Sequence, residues 1–359
     1  MTRVVVCFDG LDPAYIDATG TPEWDDLAAA GAAGECAAAM PTLTNVNNVG
    51  LATASPPADH GITGNTYFDP ETGERSYMRT ADHRRAETWF AARERAGESV
   101  AALVTKEKLR GLIATEASTA ASAEAPPAWL ESAVGEAPDI YSGDASAWLL
   151  DAGVHVLREH EPDWLYLSTT DVVPHKHAPG TEAADAWVRA LDDRLGRLAA
   201  ESDALVATAD HGMNVKTLCV DPEAILAERG DDAEVIRLIR DAHTYHHQNL
   251  GGAAYAYATG ETEPADLLGL ADVDGVEAVL ERAEAAERFD LPPDRIGDVL
   301  LLGTETSVFG PVEGGEATHA EVSLRSHGST HERTVPYVST EQGSIDNGYE
   351  AFSLLADAE

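Results

Sequence analysis

Four short apolar runs stand out along the chain: residues 3–8 (RVVVCF), 99–104 (SVAALV), 164–168 (WLYLS) and 203–209 (DALVATA). Continuous, β-branched-rich runs of this length fit strands buried on both faces, as in a parallel sheet. Between them the spacing turns helical: residues 15–30 read as mixed turn and helix, with Trp24, Leu27 and Ala28 in register, and 89–96, 144–159 and 184–198 read as helices. Strands that alternate with helices predict an α/β fold with a mostly parallel central sheet flanked by helices. Residues 114–138, rich in Ala, Glu, Ser and Pro, read as a surface excursion or small insertion. From 221 to 286 the pattern changes to short helices, a Gly-rich strand at 251–258 and a helix at 274–286. Further strands follow at 298–303 and 335–339. The expected division is a catalytic core of residues 1–220 and 316–359 carrying a smaller α+β cap or insertion, 221–315.

Composition adds a strong charge bias. The 359 residues carry 63 Asp and Glu against 24 Lys and Arg, a formal net charge of −39. Long-range repulsion of that sign works against nucleic acid and anionic membrane. The acids are spread over the whole chain, so they do not form a disordered acidic tail. Only four lysines occur: Lys106, Lys108, Lys176 and Lys216. A dispersed acidic, lysine-poor surface resembles proteins of salt-accumulating halophiles, where high salt screens self-repulsion. Three widely spaced cysteines, Cys7, Cys36 and Cys219, form neither a disulfide framework nor a CxxC metal motif. With no signal-peptide pattern and no apolar run of the roughly 18 residues needed to span a bilayer, the expected location is the cytoplasm.

The candidate chemistry gathers at strand ends. Three apolar runs lead into acids: Asp9-Gly10, Asp171 with His175 four residues on, and Asp210-His211-Gly212. A carboxylate at the carboxyl end of a strand stands at the ligand-binding edge of an open α/β sheet, although Asp9 alone reads equally as a turn former before Gly10. Asp-x-x-x-His brings both side chains together if the segment makes a turn of helix. Residues 41–65 (PTLTNVNNVGLATASPPADHGITGN) hold a hydroxyl, Thr44, among amides and small residues. That stretch is too rich in Asn, Pro and Gly for a simple helix or strand; it reads either as a nucleophile loop built on Thr44 or as a solvated loop with a helix N-cap. Two of the four lysines, Lys106 and Lys108, follow directly on a strand. They are either a solvated helix turn or compact point charges for a small anion. Leu324-Arg325-Ser326-His327-Gly328 supplies one more histidine, and Tyr245-His246-His247 either faces the cleft or forms a polar structural cluster.

Asp9, Thr44, Asp171, His175, Asp210, His211 and His327 are too many donors for one zinc. Divided as Asp9, Thr44, Asp210, His211 and Asp171, His175, His327, they fit two divalent ions with open positions for substrate. Mixed N/O ligation suits Zn²⁺, with Mn²⁺ or Fe²⁺ as alternatives. Paired ions roughly 3.5–4 Å apart stabilise both sides of an in-line displacement at phosphorus and lower the pKa of a coordinated hydroxyl, so Thr44 could attack as an alkoxide.

In order and context these residues resemble the alkaline phosphatase superfamily, in its nucleotide pyrophosphatase/phosphodiesterase-like branch. The motifs PTLTNVNNVGLATASPPADHGITGNTYFDPETG, TKEKLR, YLSTTDVVPHKHAPG, ATADHGM and RSHG narrow the likeness to the phosphonoacetate hydrolase family, from residue 3 to about 330. The resemblance implies an alkaline-phosphatase-like core with two metal ions held by the seven residues above. It implies Thr44 as nucleophile and metal ligand, Asn65 as a hold on the phosphoryl group, and Lys106 and Lys108 as receivers of the substrate carboxylate. Cleaving a C–P bond leaves negative charge on carbon, which in phosphonoacetate spreads into the carboxylate. Cations placed there stabilise the transition state more than the ground state. The expected course is attack by Thr44, release of acetate and hydrolysis of a phosphothreonine. The alternatives are a phosphodiesterase or nucleotide pyrophosphatase using the same dimetal Thr site, and a metal-stabilised binding protein without turnover. The expected partners are a small anionic phosphonate or phosphoester and, at most, a second copy of the chain in a homodimer; nucleic acid and membrane are not expected.

Overall fold

Residues 1–241, 247–312 and 317–356 are described in a computed structural model of the chain. The central sheet has seven strands in the order Ala32–Ala37, Thr334–Ser339, Ala204–Thr208, Arg3–Cys7, Trp164–Ser168, Val100–Val104 and Thr119–Ser122. The last five are mutually parallel, whereas Thr334–Ser339 runs against both neighbours. The four apolar runs are the four consecutive inner strands, and their residues are buried apart from a partly exposed Arg3. Helices Asp144–His160 and Glu182–Ala200 lie against each other and against these strands.

Register places the chemistry. Cys7 pairs with both Ser168 and Thr208, and Ser168 in turn with Val104. Asp9, Lys106 and Asp210 therefore each stand two residues past level strand ends, and Asp171 three. Parallel strands put all four on one rim.

Three expectations need correction. Residues 114–138 are not only surface: Thr119–Ser122 closes the sheet edge, and Ala128–Val134 is helical. Residues 274–286 are not one helix, because Val276–Glu281 pairs as a strand with Val299–Gly303 before the helix Arg282–Phe289 begins. Sheet pairing outweighs local helix propensity there. Within 41–65, Thr44–Thr53 is an α-helix and nearly all of it is buried. Its asparagines are tolerated because each finds a partner: Asn47 bridges Ala39 and Leu43, and Asn45 donates to the Met78 carbonyl.

Beyond the rim, Ala233–Arg237, Ala253–Ala258, Val299–Gly303 and Val276–Glu281 form an antiparallel sheet. It is packed on both faces. Tyr255 and Tyr257 join the main core, while Ala254, Ala256 and Leu301 join a second one with Val220 and Phe309. A three-stranded sheet, Ser307–Phe309, Asn214–Val220 and His319–Ser326, adjoins it.

Lys216, in the middle of that sheet, forms a fully buried ion pair with Glu332 at 2.8 Å and donates to the Glu305 carbonyl at 2.7 Å. The Glu332 carbonyl accepts the Gly212 N–H, tying the pair to the Asp210-His211 loop. Removing one partner of a buried pair strands the other charge, so Lys216→Met is expected to cost about 3–5 kcal/mol of stability in denaturant titration. A cost below about 1 kcal/mol would mean that the pair adds little net stability.

Candidate active site

Gly10 (φ +74°) turns the chain sharply after Asp9, and a Cβ there would lie 3.0 Å from the Asp171 Cβ. Its N–H donates to Asp210 Oδ1 at 3.0 Å, as does that of His211. Gly212 has no room for a side chain either, since a Cβ would meet Asp12 Oδ2 at 2.6 Å. These contacts lock two strand ends together around three buried acids, Asp9, Asp171 and Asp210.

Six of the candidate ligands form two groups of buried donors: Asp9, Asp210 and His211, and Asp171, His175 and His327. Within each group the donor atoms lie within 4.8 Å of one another. Thr44, first residue of its helix, joins the former group: its Oγ1 is 3.5 Å from Asp9 Oδ1 and 3.3 Å from His211 Nε2. Its position at a helix N-terminus favours negative charge on that oxygen.

The histidine tautomers follow from their partners. His175 Nδ1 is 2.7 Å from the Arg325 carbonyl, His211 Nδ1 is 3.0 Å from that of Gly212, and His327 Nδ1 is 2.6 Å from that of Thr42. A carbonyl only accepts, so each Nδ1 carries a proton and each ring turns its Nε2 to the site. Burial lowers the pKa of His211 and of His327, which keeps both neutral. Backbone acceptors behind metal-ligating histidines are the usual means of fixing such rings. His175 Nε2 lies 3.0 Å from Asp171 Oδ2; a lone pair facing a carboxylate at this distance needs a proton or cation between them. The His211 and His327 rings stack with centroids 3.6 Å apart, carrying one group's nitrogen alongside the other's.

The acids show the same demand for cations. Burial, then Asp171 and Asp210, push the Asp9 pKa well above the carboxylate range against the pull of Lys106 and His211. Burial and Asp171 likewise push Asp210 up to about 7, despite the hydrogen bond from Gly10. Two groups of mixed N/O donors, buried and short of positive charge, fit two divalent ions.

Lys106 Nζ bridges the groups, 3.2 Å from Asp9 Oδ2 and 3.0 Å from Asp171 Oδ1. Burial alone would depress its ammonium, but Asp171 and Asp9 outweigh it and hold it above the usual lysine range. Lys108 faces the same cleft and is ion-paired with Asp241. Burial depresses its pKa, and Asp241 offsets that only in part. Asn65 also lines the cleft, with Nδ2 donating to the Ile239 carbonyl at 2.9 Å.

All ten residues expected at the site therefore converge. Sequence reasoning passed over three others: Asn48, Thr42 and Asp241. Asn48 donates to Asp210 Oδ2 at 3.0 Å and accepts from the Tyr166 hydroxyl at 2.8 Å; its spacing of four from Thr44 would have marked it had the segment been read as helix. The Thr42 hydroxyl accepts the Gly328 N–H and donates to the Ser329 carbonyl, anchoring the His327 loop. Asp241 and His247 line the cleft, and no spacing in the sequence ties Asp241 to Lys108. Of the 245–247 cluster, His247 lies at the cleft; Tyr245 and His246 lie outside the described residues. Among the described residues no helix is long and apolar enough to cross a membrane, and the three cysteines are buried without a disulfide.

The type I phosphodiesterase / nucleotide pyrophosphatase family profile matches residues 3–329. Phosphonoacetate hydrolase from Sinorhizobium meliloti 1021, solved with phosphonoacetate, shares 35% identity over 100% of this chain and 96% of its own, with a TM-score of 0.91. The same enzyme with phosphonoformate superposes with a TM-score of 0.90 at the same identity and coverage. Murine ectonucleotide pyrophosphatase/phosphodiesterase 5 shares the fold, with a TM-score of 0.69 at 16% identity over 99% of this chain and 94% of its own. With the profile spanning nearly the whole chain and a relative at 35% identity along its full length, the chain belongs to the type I phosphodiesterase / nucleotide pyrophosphatase family, on its phosphonoacetate hydrolase side.

Proposed function

We propose that the chain is a dimetal hydrolase that cleaves the C–P bond of phosphonoacetate to acetate and phosphate through a phosphothreonine on Thr44. One observation carries the choice of substrate. Lys106 and Lys108 line the same cleft as Thr44 and the donor groups, and no Phe, Tyr or Trp lines it among the described residues. The cleft thus offers cations for a second anionic group and no stacking surface for a base.

The seven residues that would hold the metals are Asp9, Thr44, Asp210 and His211 on one side and Asp171, His175 and His327 on the other. When bound, two such ions supply Lewis-acid stabilisation at the phosphonate oxygens and acidify a hydroxyl; Zn²⁺ is the first choice, with Mn²⁺ or Fe²⁺ as alternatives. Thr44 Oγ1 attacks phosphorus, the P–C bond breaks, and its electron pair passes into the carboxylate as an enolate-like species that takes a proton to become acetate. Lys108 stabilises that charge, with Asp241 holding the ammonium in place until the carboxylate arrives. Asn65 orients the phosphonate, its amide fixed by the Ile239 carbonyl. Water then splits the phosphothreonine to phosphate. Residues 221–315 act as a cap over residues 1–220 and 316–359, supplying Asp241 and His247 to the cleft. The acid-rich composition suits a salt-rich cytoplasm.

The family profile favours a second reading, hydrolysis of a nucleotide-like diester at the same site. Metal-loaded protein in high salt decides between them, by phosphate release from phosphonoacetate against hydrolysis of a nitrophenyl phosphodiester. Diester turnover without phosphonoacetate turnover sinks the first reading. Lys108→Ala is expected to lower kcat/KM for phosphonoacetate on the order of 10²-fold and to change nitrophenyl ester turnover only a few-fold. Equal losses would remove Lys108 from the carboxylate.

A further inference from the structure

A net charge of −39 repels small polyanions from the molecule as a whole. Against that field, Arg75, Arg237 and Arg240 meet around a single cavity of about 530 Å³, with Tyr77 and Asp241 also in its wall. Asp241 lines the cleft as well, so cavity and cleft adjoin. Arg75 is ion-paired with Glu234. Arg237 is half-buried and Arg240 exposed, and neither forms an ion pair or side-chain hydrogen bond among the described residues. Glu223 also lines the cavity, yet neither guanidinium is in an ion pair with it. Burial, then Arg240, disfavour the Arg237 charge more than Glu223 and Asp221 favour it, a cost that an arriving anion would relieve.

The connection to the site is through the backbone. The Arg240 N–H donates to the Arg237 carbonyl at 3.1 Å, closing a turn. From inside that turn the Leu238 and Ile239 carbonyls accept the backbone N–H and Nδ2 of Asn65, each at 2.9 Å. The next residue, Asp241, pairs with Lys108. One short segment therefore turns two cations outward and holds two proposed substrate-binding residues inward.

We propose that the Arg75–Arg237–Arg240 cavity is an anion-collecting antechamber, which binds a small multiply charged phosphonate or phosphate ester and passes it across Asp241 into the cleft. The choice of a phosphonate rests on the function proposed above. Oppositely charged clefts raise association rates by about 10–10³-fold, and salt weakens the effect.

The test measures kcat and KM of the metal-loaded enzyme as a function of salt, over the range where all variants stay folded by thermal unfolding. In Arg237→Gln/Arg240→Gln, kcat/KM for phosphonoacetate is expected to fall about tenfold at the lowest salt, through KM with kcat unchanged. The wild type should lose kcat/KM as salt is added, whereas the variant, left with only the repulsive net field, should gain. Arg237→Lys/Arg240→Lys keeps the charge and should restore most of the loss. An unchanged salt slope in the glutamine variant overturns the proposal, as does an equal loss in the lysine variant, which would mark a structural role. If the wild type cleaves only the nitrophenyl diester, the substrate reading has failed; the same series on that anion then decides, a loss upholding the antechamber and no loss removing it.

Discussion

Thr44→Ala is expected to lower phosphate release from phosphonoacetate on the order of 10³-fold or more, with metal content and fold retained. Three observations support so large an effect. Thr44 Oγ1 lies 3.5 Å from Asp9 Oδ1 and 3.3 Å from His211 Nε2. It stands on the first residue of a buried helix, and that helix is fixed to Asp210 through Asn48, which also donates to the Thr44 carbonyl at 3.1 Å. Thr44→Ser keeps the hydroxyl and should retain most of the activity, losing only what the Thr methyl contributes to its rotamer. Quenched turnover analysed by mass spectrometry should show phosphate on the 44–53 helix in the wild type and not in Thr44→Ala. Activity of Thr44→Ala within tenfold of wild type would mean that water attacks phosphorus directly.

The second large effect is expected at Lys106. The family resemblance pairs Lys106 with Lys108 as receivers of the substrate carboxylate. The structure gives the two lysines different surroundings: Lys108 faces Asp241, while Lys106 joins Asp9 to Asp171 across the two donor groups. Lys106→Ala leaves these buried acids without their shared cation, which is expected to cost about 3–5 kcal/mol in the metal-free protein. Divalent metal should recover most of that loss, because it supplies the missing charge and binds only the folded site. Activity should fall on phosphonoacetate and on the nitrophenyl diester together, in contrast to the selective loss expected for Lys108→Ala. A Lys106→Ala protein as stable as wild type without metal would show that Asp9 and Asp171 share a proton there instead. Loss confined to phosphonoacetate would return Lys106 to a purely substrate-binding role.

The order of charges along the rim explains why one site can divide its labour. Asp210, Asp9, Asp171 and Lys106 follow the strand order of the sheet, so the positive end lies on the side where Asp241 meets Lys108. Under the proposed function, phosphorus lies among the donor groups and the carboxylate beside Lys108. A longer substrate would have to pass the Arg237–Arg240 turn, the same segment that holds Asn65.

Much of this was legible in the chain. Short β-branched apolar runs fit strands buried on both faces, and three of them leading into acids place those acids at one rim once the strands are parallel. The donors group as Asp9, Asp210 and His211, joined by Thr44, apart from Asp171, His175 and His327, because the first set comes from three segments that meet at the rim and the second from two others. Local reasoning failed where tertiary contacts override propensity. The Asn-rich 44–53 segment is a helix because its amides are consumed by Ala39, Met78 and Asp210, partners invisible in the sequence. Residues 276–281 became a strand because Val299–Gly303 offered an edge. The strand ends and the acids beyond them were legible from residue type and spacing alone, while Thr44 and the lysine pair took their expected roles from the family resemblance. The histidine tautomers, the bridging place of Lys106 and the pairing of Lys108 with Asp241 were decided only by the tertiary structure. Each depends on a carbonyl or carboxylate contributed from a segment more than sixty residues away in the chain, save the Gly212 carbonyl behind His211.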